Sequence, residues 1–139
     1  MKDTINKIEY ARIKLGIPNQ FLCRDNPQTE EDFNNNVKWI IGEDEYRNAV
    51  YTEDRLITWQ QVQEFAEEAC NEWALRKLRE ERDRRLAETD WWAVADRTMS
   101  DEQKAYRQAL RDITDTSSPA LTDFDQLDIE SVNWPVRPQ

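Results

Sequence analysis

The sequence predicts a mainly α protein in which a long central helix bridges a small α+β N-terminal module, with a hairpin, and a short helical C-terminal module. Three observations carry this prediction. From Thr58 to about Glu88 helix-forming residues run without a Gly or Pro, roughly thirty residues or about 45 Å of helix. Thr58-Trp59-Gln60-Gln61 and Ser100-Asp101-Glu102-Gln103 both have capping-box spacing, in which the hydroxyl accepts from a backbone N–H three residues on and the Gln reaches back. Upstream, Val37, Trp39 and Ile41 alternate as a half-buried strand would, ahead of the turn residues Gly42-Glu43-Asp44-Glu45. At 139 residues the chain is one domain of ordinary size or two small modules sharing a core, divided as 1–57 and 58–139.

Taken in order, residues 4–15 form a short helix on Ile5, Ile8 and Leu15, stopped by Gly16 in a left-handed conformation and by Pro18. Residues 19–28 read as loop, from the turn chemistry of Asn19, Asp25, Asn26 and Pro27. Thr29 before Glu30, Glu31 and Asp32 is a helix start, with acids at the positive end of the dipole. Phe33, Val37 and Ile40 would be the apolar face of that helix, while the alternation from Val37 supports a strand equally well. The reading is a helical turn leading into a hairpin, with Ala49-Val50-Tyr51 as its second strand.

Ile57 before the Thr58 cap and Val62 after it make a hydrophobic staple. Along the long helix, Trp59, Val62, Ala66, Ala69 and Trp73 keep a heptad-like seam, with Phe65 and Cys70 beside it. Further on, Leu75, Leu78 and Leu86 define a second stripe facing elsewhere. The switch has two explanations: the helix packs each half on a different module, or its second half projects and pairs with another chain. No seam lasts three heptads, which argues against a plain coiled coil and favours the bridging helix. A second capped helix runs from Ser100 to about Ile113, with Tyr106, Ala109, Leu110 and Ile113 on its inner face and Arg107, Gln108 and Arg111 on its flanks. After Thr116-Ser117-Ser118-Pro119 the chain is expected to be extended and acidic, ending in Trp134-Pro135 and Pro138.

Composition excludes whole classes of function. Six tryptophans imply a folded chain whose thin core leans on a few aromatics. A net charge of −10 argues against nucleic-acid binding, which needs a clustered positive field. No apolar run approaches the ~20 residues that span a bilayer, and Met1-Lys2-Asp3-Thr4 leads into no signal core, so the expected location is the cytosol. With no histidine, Ser–His–Asp and Cys–His systems and zinc-protease helices are excluded. Two glycines, Gly16 and Gly42, cannot build a phosphate loop. Cys23 and Cys70 stand far apart outside any metal-ligand spacing and read as reduced thiols, Cys70 on a helix face. Asp123, Asp125, Asp128 and Glu130 have a calcium-loop look but lack its glycine, and Trp134 stands at the closing acid position. No catalytic residue, metal or cofactor is assigned.

Charge is also segregated. Arg76, Lys77, Arg79, Arg82, Arg84 and Arg85 stand against Glu80, Glu81 and Asp83, usually the mark of a solvated helix face laced with same-helix ion pairs. Residues 112–130 hold Asp112, Asp115, Asp123, Asp125, Asp128 and Glu130 with no Lys or Arg. The two segments could pair within one chain or between neighbours.

The last third carries, in order, Thr89-Asp90-Trp91, Asp96, Ser100-Asp101-Glu102-Gln103, Tyr106-Arg107-Gln108-Ala109-Leu110-Arg111-Asp112-Ile113 and Trp134-Pro135-Val136-Arg137-Pro138. Across about 84–138 this series resembles the short C-terminal module of tailed-bacteriophage tail assembly chaperones, also found on some tail-fibre and virion proteins. The chain departs from that pattern in having Leu86-Ala87 in place of a leucine pair, an extra Trp92, and a longer, more acidic stretch between Ile113 and Trp134. The resemblance implies a non-enzymatic protein of phage tail morphogenesis, working in the host cytoplasm by protein–protein binding to tail or tail-fibre proteins or to itself. A structural virion component, such as a tail, baseplate or fibre adaptor, is the second reading, and a small phage protein binding a host factor the third. The residues it singles out as module core or partner contacts are Trp91, Tyr106, Arg107, Leu110, Arg111, Ile113, Trp134 and Pro135. Trp91, Tyr106, Leu110 and Ile113 are expected in one cluster closed by a largely buried Trp134, with Arg107 and Arg111 bonded to nearby acids.

Overall fold

The computed structural model describes residues 3–94 and 97–138. About 51% of the described residues are helical, and a three-stranded antiparallel sheet gives the N-terminal part α+β character. Two compact units are present, Met1–Cys70 and Asn71–Gln139.

The first unit begins with α1 (Thr4–Lys14), capped by the Asp3 carboxylate, which accepts from Ile5 N. Gly16 follows with φ 66°, the left-handed stop its position called for. Ile8 and Ala11 are buried, whereas Leu15, expected on the inner face, is exposed because the chain turns away there. Strand β1 (Phe21–Cys23) lies inside the segment expected to be loop; three residues are too few to show alternation. Thr29 and Asp32 form a capping box on α2 (Glu30–Asn36), which passes directly into β2 (Val37–Glu43) and then β3 (Ala49–Thr52). The strand reading of Val37–Ile41 therefore holds, with one irregularity. Ile40 pairs with Tyr51 and Gly42 with Val50, so Ile41 is an extra, bulged residue facing solvent. The turn sits later than expected: the Asp44 carboxylate accepts from Tyr46 N (2.9 Å) and Asn48 N (2.8 Å), and Arg47 takes a φ of 62°.

Thr58 and Gln61 complete the second capping box, on α3 (Trp59–Glu64). The flanking Ile57 and Val62 are both buried, as a staple requires. The helix does not continue unbroken. Phe65 has ψ near 0°, and α4 (Ala66–Ala87) starts after it. No Gly or Pro marks this break. Phe65 packs against the unit's core, and packing overrides helix propensity at that residue. The core is a single cluster of Ile8, Ala11, Phe33, Trp39, Ile57 and Val62. Phe21 stacks obliquely on Trp39 at 5.5 Å, and Trp59 on Phe33 at 5.7 Å.

The second unit contains α4 from Asn71 onward, a 3-10 turn (Asp90–Ala93) and α5 (Asp101–Thr116). The Ser100–Gln103 capping box opens α5, which runs three residues past Ile113. The segment after it is not simply extended. Leu121 bridges Leu127, Thr122 N donates to Gln126 O (2.8 Å), and Asp128 N donates to Ala120 O (2.9 Å), making a small hairpin over 120–128. A second 3-10 turn (Ile129–Ser131) follows, capped by Asp128.

Candidate functional site

Helix α4 closes on a tightened last turn, in which Thr89 N donates to Leu86 O (3.0 Å). Arg107, reaching from α5, adds to it: its Nη1 donates to Leu86 O (3.0 Å) and Thr89 Oγ1 (2.7 Å), and its Nη2 to Asp90 Oδ1 (2.9 Å). Thr89 is fully buried, and its hydroxyl donates to Leu86 O at 2.9 Å. The guanidinium thus places positive charge at the negative end of the α4 dipole. Its side chain is only 10% exposed against 68% for Asp90, so the carbonyl and hydroxyl bonds matter more than the solvent-screened ion pair. Two separate pieces of the C-terminal series, Thr89-Asp90 and the octapeptide holding Arg107, therefore form one clamp between α4 and α5. The expected bond from Arg107 to a nearby acid is present, with Asp90; Arg107 is buried from its flank position, and Ala109, expected on the inner face, is exposed.

Around the clamp, α5 divides its inner face between two clusters. Tyr106 and Leu110 pack with Trp92, supported by Leu86, Met99 and Trp134. Ile113 belongs to the other, with Leu78 and Val132, supported by Leu75, Leu127 and Trp134. The expected single cluster is therefore two, joined by Trp134. The tail does fold back, and Trp134 is partly buried, packed against both clusters. Its Nε1 donates to Ile129 O (3.2 Å), and Arg85 lies over its ring at 4.1 Å.

The tryptophan that meets Tyr106 is Trp92, at 5.9 Å and edge-on, and not Trp91. A 3-10 turn between two helices breaks the phase that periodicity would extend, and it turns Trp91 outward. Trp91 is 49% exposed, edge-on to Trp92 at 6.0 Å, with Arg97 over its ring at 4.7 Å. Arg111 is exposed and has no hydrogen-bond or ion-pair partner among the described residues, contrary to expectation; it stands one turn of α5 beyond Arg107. Pro135 lines a shallow groove with Trp134, Val136 and the α5 residues Ala109, Asp112 and Thr116. Asp96 lies outside the described residues. The presence of Trp92 beside Trp91 was the one sequence signal for the true core aromatic. Thr89 stood in the recognised series with no role of its own assigned, and Val132 gave no signal, since each acquires its role from a tertiary partner.

The basic run of α4 pairs along its own helix: Arg76 and Lys77 with Glu80, Arg79 with Glu72, Arg84 with Glu81 and Glu88, and Arg85 with Glu81. Hydrogen bonds from Arg84, then Arg85, hold the Glu81 carboxyl below its usual range against the opposing effect of burial. Residues Gln126, Leu127 and Ile129 lie across a groove from Lys77, Glu80, Glu81 and Arg84, and Trp73 Nε1 donates to Asp125 O at 3.2 Å. The acidic segment thus docks on this face of α4. Among the described residues no three His, Cys, Asp or Glu side chains cluster in a way that could hold a metal ion. No helix among them is long and apolar enough to cross a membrane.

Residues 75–139 match the phage tail assembly chaperone protein family. The match starts at Leu75, within α4, earlier than the 84–138 over which the resemblance was read, and lies wholly in the second unit. It takes in the second leucine stripe, the Arg107 clamp and both clusters. It supports a role in tail assembly. No curated protein and no solved structure matches the chain.

Proposed function

We propose that this chain is a non-enzymatic protein of phage tail morphogenesis, acting in the host cytoplasm as a tail or tail-fibre assembly chaperone by direct binding. The family match over 75–139 is the observation that carries this reading. In it, Tyr106, Arg107, Leu110, Ile113 and Trp134 hold the shape of the second unit, while Trp91, Arg111 and Pro135 contact the partner. Accessibility supports that division: Trp91 and Arg111 face solvent, and Pro135 lines an open groove. An exposed tryptophan and arginine are the residue types that dominate binding energy at protein interfaces.

The deciding experiment is quantitative mass spectrometry of tail intermediates and of purified mature particles. A chaperone is found with intermediates and is absent from finished particles. Stoichiometric amounts in mature particles would make the chain an adaptor of the virion, and absence from both would overturn a tail role altogether.

A further inference from the structure

We propose that Phe124, at the tip of the 120–128 hairpin, is a docking plug that enters an apolar pocket rimmed by Lys or Arg on a tail protein. The proposal rests on the tail-assembly reading and names the chemistry of the partner surface. Phe124 is 86% exposed, and the backbone beneath it is held by hydrogen bonds within the loop. Asp125 N donates to Thr122 O (3.1 Å) and Thr122 N to Gln126 O (2.8 Å), with Asp125 at φ 56°. That is a three-residue hairpin loop, a tight turn followed by a left-handed residue. The Thr122 hydroxyl accepts from Phe124 N and Gln126 N, both at 3.3 Å. Trp73 ties Asp125 O to α4 at 3.2 Å, and Leu127 is packed in the core of the unit.

A loop held in this way has its backbone ordering cost met during folding, so only the ring's own rotamer freedom is lost when it binds. Aromatic side chains are enriched at interface cores, where such a ring fills a pocket. The charge around it selects the rim. Residues 112–130 carry six acids and no Lys or Arg, and a negative surface of this kind steers towards a cationic one. The same field, with a chain charge of −10, disfavours a second copy as the occupant.

The test uses the full chain against each purified tail and tail-fibre protein of the same phage, by titration calorimetry and surface plasmon resonance. Phe124→Ala should weaken binding by roughly 30-fold or more, the scale of an interface hot spot, with an unchanged melting temperature because the ring packs on nothing it would release. Asp123→Asn should slow association and flatten its salt dependence. If Phe124→Ala binds a tail protein as tightly as the unaltered chain, the plug is overturned while the tail reading stands. Dependence on Phe124 seen only in self-association, by sedimentation, would overturn the stated partner. If the unaltered chain binds no tail protein, the tail reading fails first and takes the plug with it.

Discussion

The first unit gathers its apolar side chains into one cluster of six buried residues around Trp39, whereas the second splits its core into two clusters of three that share Trp134. The first is held mainly by area removed from water. The second adds a buried guanidinium and an arginine stacked on the joining ring. A divided core places more weight on each joint, so equal losses of buried surface should have different reach in the two units.

The largest effects come from the centres of the two cores. Trp39→Ala should cost about 3–5 kcal/mol and Leu110→Ala about 2–5 kcal/mol, the ranges for deleting core aromatics and leucines. Denaturant melts give the totals, and hydrogen exchange gives the reach. Protection should fall across β2 and α1 for Trp39→Ala, and across α5 for Leu110→Ala. A loss below about 1 kcal/mol at Leu110 would mean that the second unit's clusters do not depend on it.

Removing the joint is the next test. Deletion of 131–139 takes away Trp134 and Val132, the latter buried, and should lower the melting temperature, expose Trp92 to quencher and weaken partner binding together. An unchanged melting temperature with binding lost would make the tail a docking peptide and the comparison of the two cores wrong. Survival of both would leave Trp134 with no role as a joint.

Much of this was legible in the sequence where the cause is local. The boxes at Thr58 and Ser100, the Thr29 helix start and the left-handed Gly16 are set by residues within four positions, and all appear in the structure. What depends on distant partners was not legible. Helical periodicity placed Ala109 inward and Arg107 on a flank, whereas Ala109 is exposed and bonds to Leu86 O and Thr89 draw Arg107 in. Periodicity also cannot cross the 3-10 turn that exchanges Trp91 for Trp92, nor foresee the bulge that sends Ile41 to solvent or the break at Phe65. In the candidate site, the pieces were recognisable from their order, while the bond joining Thr89 to Arg107 had no signature beyond their presence.

The matched caps allow a finer comparison. Thr58→Ala and Ser100→Ala should each cost about 0.5–2 kcal/mol, since each removes an acceptor for one backbone N–H. Thr58→Ala should fall towards the upper end, because the Ile57–Val62 staple it positions lies in the single large core. Equal costs would show that capping is independent of the core behind it.

The smallest effects concern acid, and they separate the units by mechanism. Asp44 in the first unit and Glu81 in the second both have carboxyls held below the usual range. For Asp44 the cause is hydrogen bonding from neutral groups, the Asn48 side chain and then backbone N–H groups. For Glu81 it is bonding to the arginines Arg84 and Arg85. A depressed folded pKa adds stability that is present above the ordinary carboxylate range and lost as pH falls through the lowered value. Asp44→Asn and Glu81→Gln should therefore each flatten the acid limb of the stability profile. Salt distinguishes them. Screening acts over a Debye length of about 10 Å at 0.1 M and about 3 Å at 1 M and reaches Glu81 mainly through the exposed Arg84, its pair with Arg85 being partly buried, while hydrogen bonds from neutral donors carry no net charge to screen. Titration of the carboxyl carbons by NMR should show the Glu81 pKa rising towards its ordinary value between low and 1 M salt, with that of Asp44 nearly stationary. Equal movement of both would show that the arginine network along α4 contributes no more to holding Glu81 ionised than a turn of neutral donors does for Asp44.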